Sequence, residues 1–426
     1  MEINMRKVEY LILGAGVSGL AFANHVGHSD YLILEREREP GGYCRTTKRG
    51  EYVWDYAGHF FHFSHPQLKK NFEAVTTSDE TVYRVKNTKI YYKGYYVDYP
   101  FQKNIHQLTK DELIECIYDL FEKSEKNRYD SFLDMLYGKF GKSITEKFLR
   151  PYNEKLYACD LNLLDVNAMG RFFPEADLES IIRNMKVADN ASYNSEFLYP
   201  KRGAEVFVNK LLEKLEMEKI HLRERVQSVN TDKHIVITDK DRYQYDYLIS
   251  SLPFHEFIKM SDIVEQVDCS VFSYNQVLVL NLGFDQKAVD SDIHWIYVPS
   301  KEINFYRAGF YNNIIGSKKL SMYIEIGYDK DYVITDAEIT RQLDLTIDNL
   351  RRMKIIRKHR LTEHQAIIMN PAYVHITQKS METVGKIKEM LAENHVYTVG
   401  RYGDWKYCSI EDCMVDSLNI AKQIKG

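Results

Sequence analysis

The sequence predicts an α/β fold: a doubly wound unit interrupted by a helical insert and by an antiparallel sheet. Three observations predict it. A glycine-rich turn, Gly14-Ala15-Gly16-Val17-Ser18-Gly19, lies between an apolar run and a small-residue stretch, completing a βαβ pattern. From about residue 107 to 190 the apolar spacing turns helical. From about 270 to 328, runs such as QVLVLNL, WIYV, NFYRAGF and SMYIEI read as strands of an antiparallel sheet.

Taken in order, Val8 to Leu13 is a continuous buried strand, Gly19 to Ala23 opens a small-residue helix, and Tyr31 to Glu35 is the second strand. Thr109 to Glu112 and Ser143 to Glu146 have capping-box spacing. Leu113, Ile114, Ile117, Leu120 and Phe121 form one apolar face, and Pro151 is expected to stop the second helix. Ala204 to Glu216 is amphipathic and precedes the strand-like RVQSV, HIVIT and YDYLISSL. Thr335 caps a further helix, and strand Val396 to Val399, a glycine turn and a helix from Glu411 end the chain. This order assigns 1–75, 200–260 and 385–426 to a cofactor unit, 100–195 to the helical insert, and 76–99 with 265–380 to the sheet.

A chain of 426 residues exceeds the size at which one core stops growing, so two or three domains are expected. A net charge of −4 argues against general nucleic-acid binding, so an anionic ligand must be held by a few placed arginines. The 6 cysteines show no CxxC spacing, and a reducing cytoplasm is the simpler expectation. The short apolar run at the N-terminus passes straight into the glycine turn, which fits a strand better than a signal peptide. No stretch approaches the length of a membrane span.

Gly14 permits a tight turn, Gly16 lets the backbone approach a diphosphate, and Gly19 allows close helix–strand packing. The diphosphate would rest on the helix N-terminus, where free N–H groups and the dipole favour negative charge. Glu35 ends the second strand, placed to accept hydrogen bonds from an adenosine ribose and to repel a 2′-phosphate. The stretch ILEREREPGGYCR, with Gly42, Tyr43 and Arg45, is similar to the second motif of the glutathione-reductase and amine-oxidase flavoproteins. That likeness implies a Rossmann-like FAD-binding domain of the glutathione-reductase type. It places Val226 at the adenine, and Ser18, Gly400, Arg401, Asp412, Cys413 and Met414 near the ribityl chain or diphosphate.

A narrower resemblance spans most of the chain. AGHFFHFSH, VDYPFQKNI, FLRPYNEKLYA, NSEFLYPKRG, HWIYVPSKEINFYRAG, the tyrosine of NPAYVH, and VGRYGDWKY resemble segments of the UDP-galactopyranose mutase family, in the family's order. They are more like its eukaryotic than its short bacterial branch. The resemblance implies exchange of a UDP-hexose between pyranose and furanose rings, by attack of reduced FAD N5 on the anomeric carbon. Tyr99, Phe101 and Gln102 would hold uridine, bordered by Asn153 and Tyr157. Arg307 and Arg171 would clamp the diphosphate, with hydroxyls from Tyr297, Tyr373 and Tyr407. Gly58, His59 and Phe63 would lie at the isoalloxazine ring, Trp295 and Asn194 along the sugar, and Arg401 against the reduced flavin.

Three histidines, His59, His62 and His65, have no acidic partner at ligand spacing, so no metal is expected. The chain departs from the family at Ala57, at Ala372-Tyr373-Val374, and by an extra residue between His59 and Phe63. These departures cluster toward the sugar and leave the hexose, UDP- or TDP-linked, open. The same fold also serves an amine-oxidase-type oxidoreductase, and a non-catalytic nucleotide-sugar binder is the third reading. An external reductant would keep the flavin reduced, and the oligomeric state is left open.

Overall fold

The computed structural model describes residues 5–27, 29–75, 80–174, 176–190 and 195–425. The first strand, Arg6–Leu13, lies parallel to Tyr31–Glu35 on one side and to Arg242–Ser250 on the other. Ile220–Leu222 and Val396–Thr398 extend this parallel core at its two edges. The near half of Arg242–Ser250 pairs instead with the hairpin strand Ile235–Thr238, which pairs with Val226–Asn230. Leu11, Ile12 and Leu13 are fully buried, as a parallel strand covered on both faces requires. Helix Val17–Val26 packs against the C-terminal helix Ile410–Lys425, and the Ser417 hydroxyl donates to the Ser18 carbonyl at 2.9 Å.

The second large sheet runs Leu361–Met369, Asn275–Phe284, Ser321–Asp329, Arg307–Phe310, Trp295–Tyr297, Thr88–Tyr92, Tyr95–Asp98. Its pairs are antiparallel except Thr88–Tyr92 with Trp295–Tyr297, so the sheet is mixed. Alternation along Asn275–Phe284 serves two cores. Leu278, Leu280, Leu282 and Phe284 face one closed by helix Asp336–Arg352, while Val277 and Val279 join the central core.

The helical insert departs from expectation in three places. Helix Lys110–Glu122 is capped by Thr109 as expected, but Ile114 and Phe121 are exposed and the buried stripe runs through Glu112, Cys116 and Leu120. Glu112 is buried because the Tyr92 hydroxyl and Lys93 donate to it. At Ser143 the expected capping box is absent. The backbone turns at Gly141, Asp119 accepts the Ser143 N–H at 2.7 Å, and Glu146 bonds Tyr137 and Arg150. Nor does Pro151 stop the chain. A π-helical turn, Thr145–Leu149, feeds helix Arg150–Tyr157, and Pro151 falls in its first turn, where an N–H needs no helical partner.

Lys155 ties this helix to the second sheet. Its ammonium lies 2.5–3.0 Å from the carbonyls of Val298, Ser300, Ile303 and Phe305, which share its three N–H groups, gathering the loop that precedes Arg307. Burial pulls its pKa down to about 7. Replacing Lys155 by Met leaves these acceptors facing an apolar chain. We expect a loss of about 1–3 kcal/mol, seen as a lower urea midpoint at unchanged m-value.

Candidate active site

One cavity of about 670 Å³ joins the glycine-rich turn to the inner face of the second sheet. At its outer end, Gly14 has φ 96° and donates its N–H to the Leu34 carbonyl at 2.8 Å. Gly16 and Gly42 face each other across the floor. A Cβ built on Gly42 would lie 3.3 Å from the Gly16 Cα, so side chains there would fill the approach to the helix N-terminus. Gly19 packs on the Gly14 carbonyl and so serves helix–strand packing. Glu35 is buried. Its two carboxylate oxygens accept from the Ala15 N–H at 2.8 Å and the Glu37 N–H at 2.9 Å, which fixes them at the end of the strand.

Ser18, Tyr43, Arg45 and Val226 border the same end. The Tyr43 hydroxyl accepts from the Asn370 N–H, and Arg45 sits over the Tyr56 ring near Glu37 and Glu39. Gly400 lies just behind the wall with φ 81°, and a Cβ there would collide with the Ser18 hydroxyl. Arg401 and Cys413 line the cavity. Asp412 does not. It caps the C-terminal helix reciprocally with Ser409 and pairs with Arg171, while Met414 packs into the core around the first helix.

The inner end gathers Gly58, His59, Trp295, Tyr297, Arg307, Tyr373 and Tyr407. Arg307 faces Glu325 across the strand pair, and its Nε and Nη2 donate to the two oxygens of that buried carboxylate at 2.8 and 2.5 Å. Burial works against the Arg307 charge, but Glu325 and the surrounding tyrosines hold its pKa well above the ordinary value. Arg401 is arranged differently. Its guanidinium lies 4.6 Å over Tyr407 and 5.1 Å over Tyr373, and its buried Nε has no partner among the described residues. No carboxylate pairs with it among the described residues, so it supplies net positive charge to this end.

His59 feels the charge of both arginines. Its Nδ1 lies 3.1 Å from the Ala57 carbonyl, an acceptor only, so that nitrogen carries the proton and Nε2 keeps its lone pair. Burial first, then Arg401, lowers its pKa to about 4.

Several residues singled out from the sequence lie elsewhere. Arg171 is exposed on the short turn Gly170–Phe172 and paired with Asp412 at 2.6 Å; its neighbour Phe172 borders the cavity instead. Phe63 packs on Phe61 and Phe72 in the outer core. The chain here is extended, so Phe61 and Phe63 share one face while Phe60 turns inward and stacks on Trp295 at 4.9 Å. Phe101 is core, stacked on Phe148. Tyr99 and Tyr157 sit behind the wall, their rings against Tyr297 and Tyr373. Gln102, Asn153 and Tyr157 are buried nearby, and each keeps a polar atom with no partner among the described residues. Asn194 lies outside the described residues. Sequence reasoning missed Phe60, Tyr306 and Glu325; a lone acid in the apolar run SMYIEI was the available signal for Glu325.

Among the described residues no group of His, Cys, Asp and Glu side chains could hold a metal, and no helix is long and apolar enough to cross a membrane. The family described as flavin containing amine oxidoreductase matches residues 17–353. A solved structure of reduced UDP-galactopyranose mutase superimposes with a TM-score of 0.90 at 20% identity, over 98% of this chain and 94% of that one. A putative protoporphyrinogen oxidase from Exiguobacterium sp. gives 0.76 at 16% identity, over 99% of each chain. Cyclohexylamine oxidase from Brevibacterium oxydans gives 0.68 at 12%, over 98% of this chain and 100% of that one. At these identities the likeness is one of fold, and it does not support a nearer relation to a eukaryotic branch.

The glycine cradle, the helix N-terminus and the fixed Glu35 fit the FAD of that family. Gly400→Ala is therefore expected to weaken FAD binding about tenfold or more, since a left-handed backbone costs roughly 1–2 kcal/mol and the new methyl meets Ser18. Flavin fluorescence titration of the apoprotein checks it.

A second expectation concerns pH. Burial lowers His59, His62, His255 and His294 each to about 4. The unfolded chain takes up these protons from about pH 6.5 downward while the native state refuses them, so stability falls as pH drops from about 6.5 toward 4. Asp55, pushed up to about 6 by burial, and Asp416, also raised by burial, act in the opposite sense over part of that window, but they are two groups against four. The Tm should be lower at pH 5 than at pH 7; an equal or higher value would contradict this reading.

Proposed function

The chain belongs to the flavin containing amine oxidoreductase family, and from that premise we propose that it is a nucleotide-sugar mutase. Its substrate would be UDP-galactose, or a related UDP- or TDP-hexose, exchanged between pyranose and furanose forms. The observation that carries this reading is the charge at the inner end of the cavity, where Arg401 has no carboxylate partner among the described residues and Arg307 stands beside it. At roughly 5 Å and an effective dielectric near 20, such a charge stabilises an anion, and penalises a cation, by about 3 kcal/mol. A nucleoside diphosphate suits that field and a protonated amine does not.

Breaking the bond between the anomeric carbon and diphosphate places growing negative charge on the leaving oxygen. Guanidinium groups already held by Glu325 and by two tyrosine rings need no reorganisation to meet it. When bound in its reduced form, the flavin would supply the electron-rich centre for the anomeric carbon. The Tyr297, Tyr373 and Tyr407 hydroxyls and the Trp295 indole N–H offer neutral donors to phosphate and sugar oxygens. His59, neutral through Nδ1, offers an Nε2 acceptor and adds no charge. Gln102, Asn153 and Tyr157 each hold a polar atom with no partner among the described residues, behind the tyrosine wall, and a uracil edge has the mixed donors and acceptors to answer them.

The fold serves oxidoreductases equally, and an oxidase of an anionic substrate would also suit this charge. The two differ in redox balance. A mutase works only with flavin reduced beforehand, whereas an oxidase bleaches oxidised flavin anaerobically when substrate is added. Dithionite-reduced holoprotein is expected to interconvert UDP-galactopyranose and UDP-galactofuranose on chromatographic assay. Arg307→Ala and Arg401→Ala should each lower kcat/KM by about a hundredfold or more, as for loss of one transition-state donor. If the reduced holoprotein fails to bind UDP, the proposal is wrong.

A further inference from the structure

We propose that Cys408 and Cys413 form a dithiol–disulfide couple in the wall of the FAD cavity and exchange two electrons with the cofactor held there. All six cysteines are free thiols, and these two sulfurs lie 3.7 Å apart. A disulfide needs about 2.05 Å, so the two sulfurs would have to close by roughly 1.6 Å. Both residues border the cavity, between Ser18 on the diphosphate side and Arg401 and Tyr407 on the inner side.

Their roles are unequal. Cys413 lies in the first turn of the helix Ile410–Lys425, whose N-terminus is fixed by the reciprocal Ser409–Asp412 cap, and that end of a helix favours a thiolate. The hydrogen bond from Cys408 lowers the Cys413 pKa, helped by the Arg401 backbone and Ser18, while the same bond raises Cys408. Cys44, Cys116, Cys159 and Cys269 are all pushed upward, by burial first. Only this pair couples a favoured thiolate to an adjacent S–H.

The step balances. The Cys413 thiolate and the Cys408 thiol give one S–S bond, the S–H bond breaks, and its proton passes with the electron pair to oxidised flavin. An outside dithiol then resets the couple by exchange, its own two thiols ending as a disulfide. This would be the route by which reducing equivalents reach the cavity. The inference rests on the family's cofactor alone and holds whether the cavity isomerises or oxidises its substrate.

The test uses the FAD-loaded protein and reads no turnover. In air-oxidised holoprotein, denaturing alkylation and peptide mass spectrometry should find Cys408 and Cys413 joined and the other four cysteines alkylated. Anaerobic dithionite titration should consume four electrons per wild-type chain and two for Cys408→Ser. Dithiothreitol should reduce the wild-type flavin at least tenfold faster than that of Cys408→Ser. Alkylation of both thiols in oxidised wild-type protein, a wild-type titration ending at two electrons, or equal dithiothreitol rates would each overturn the proposal. Should the variant lose its flavin, the alkylation and electron count of the wild type decide alone.

Discussion

The first helix of this protein meets the turn ahead of the last one where there is no room for a β-carbon. Gly400 brings its backbone against the Ser18 side chain, and the Ser417 hydroxyl closes on the Ser18 carbonyl. Everything that makes the cavity a site depends on that seam. It sets the glycine turn and its helix N-terminus beside Arg401, Tyr407 and Cys413, which arrive from the other end of the chain. The parallel core makes the approach possible. Val396–Thr398 joins the outer edge of Arg242–Ser250, so the turn after it emerges at the same strand ends as the first βα turn.

The inner end solves a different problem, that of keeping two cations in a space lined by tyrosines. Arg307 is held by a carboxylate directly opposite on the next strand, at the cost of most of its net charge. Arg401 is held by the faces of Tyr373 and Tyr407 and keeps its charge. Lys155 completes the frame from behind, fixing the loop that leads into Arg307–Phe310. The hydroxyl-rich wall explains how such burial is tolerated, since rings and O–H groups supply the dipoles that water would otherwise provide.

What was legible in the sequence follows the range of the forces involved. The glycine turn, Tyr31–Glu35 and the caps at Thr109 and Thr335 are local, and each lies where the residues put it. Arg307 was legible because an arginine between apolar neighbours on a strand must point somewhere enclosed. Arg171 and Phe63 were not, because a side chain's direction in a short turn or extended segment alternates with every residue: an offset of one residue exchanges Arg171 for Phe172, and an offset of three exchanges Phe63 for Phe60. Ser143 lost its cap to Asp119, a residue of the preceding helix whose reach no local rule encodes. The Cys408–Cys413 pair escaped notice because its spacing matches no metal or redox pattern, and only the helix start brings the sulfurs together.

Glu325 has a consequence for how long a ligand stays. An anion seated between two fully unopposed guanidinium groups in a dry pocket would dissociate slowly, since each charge adds to the escape barrier. A carboxylate built into the wall trims that well. Occupants then come and go on a timescale set by shape and neutral donors, and a pocket so tempered suits a catalyst that must release its product better than one made for storage.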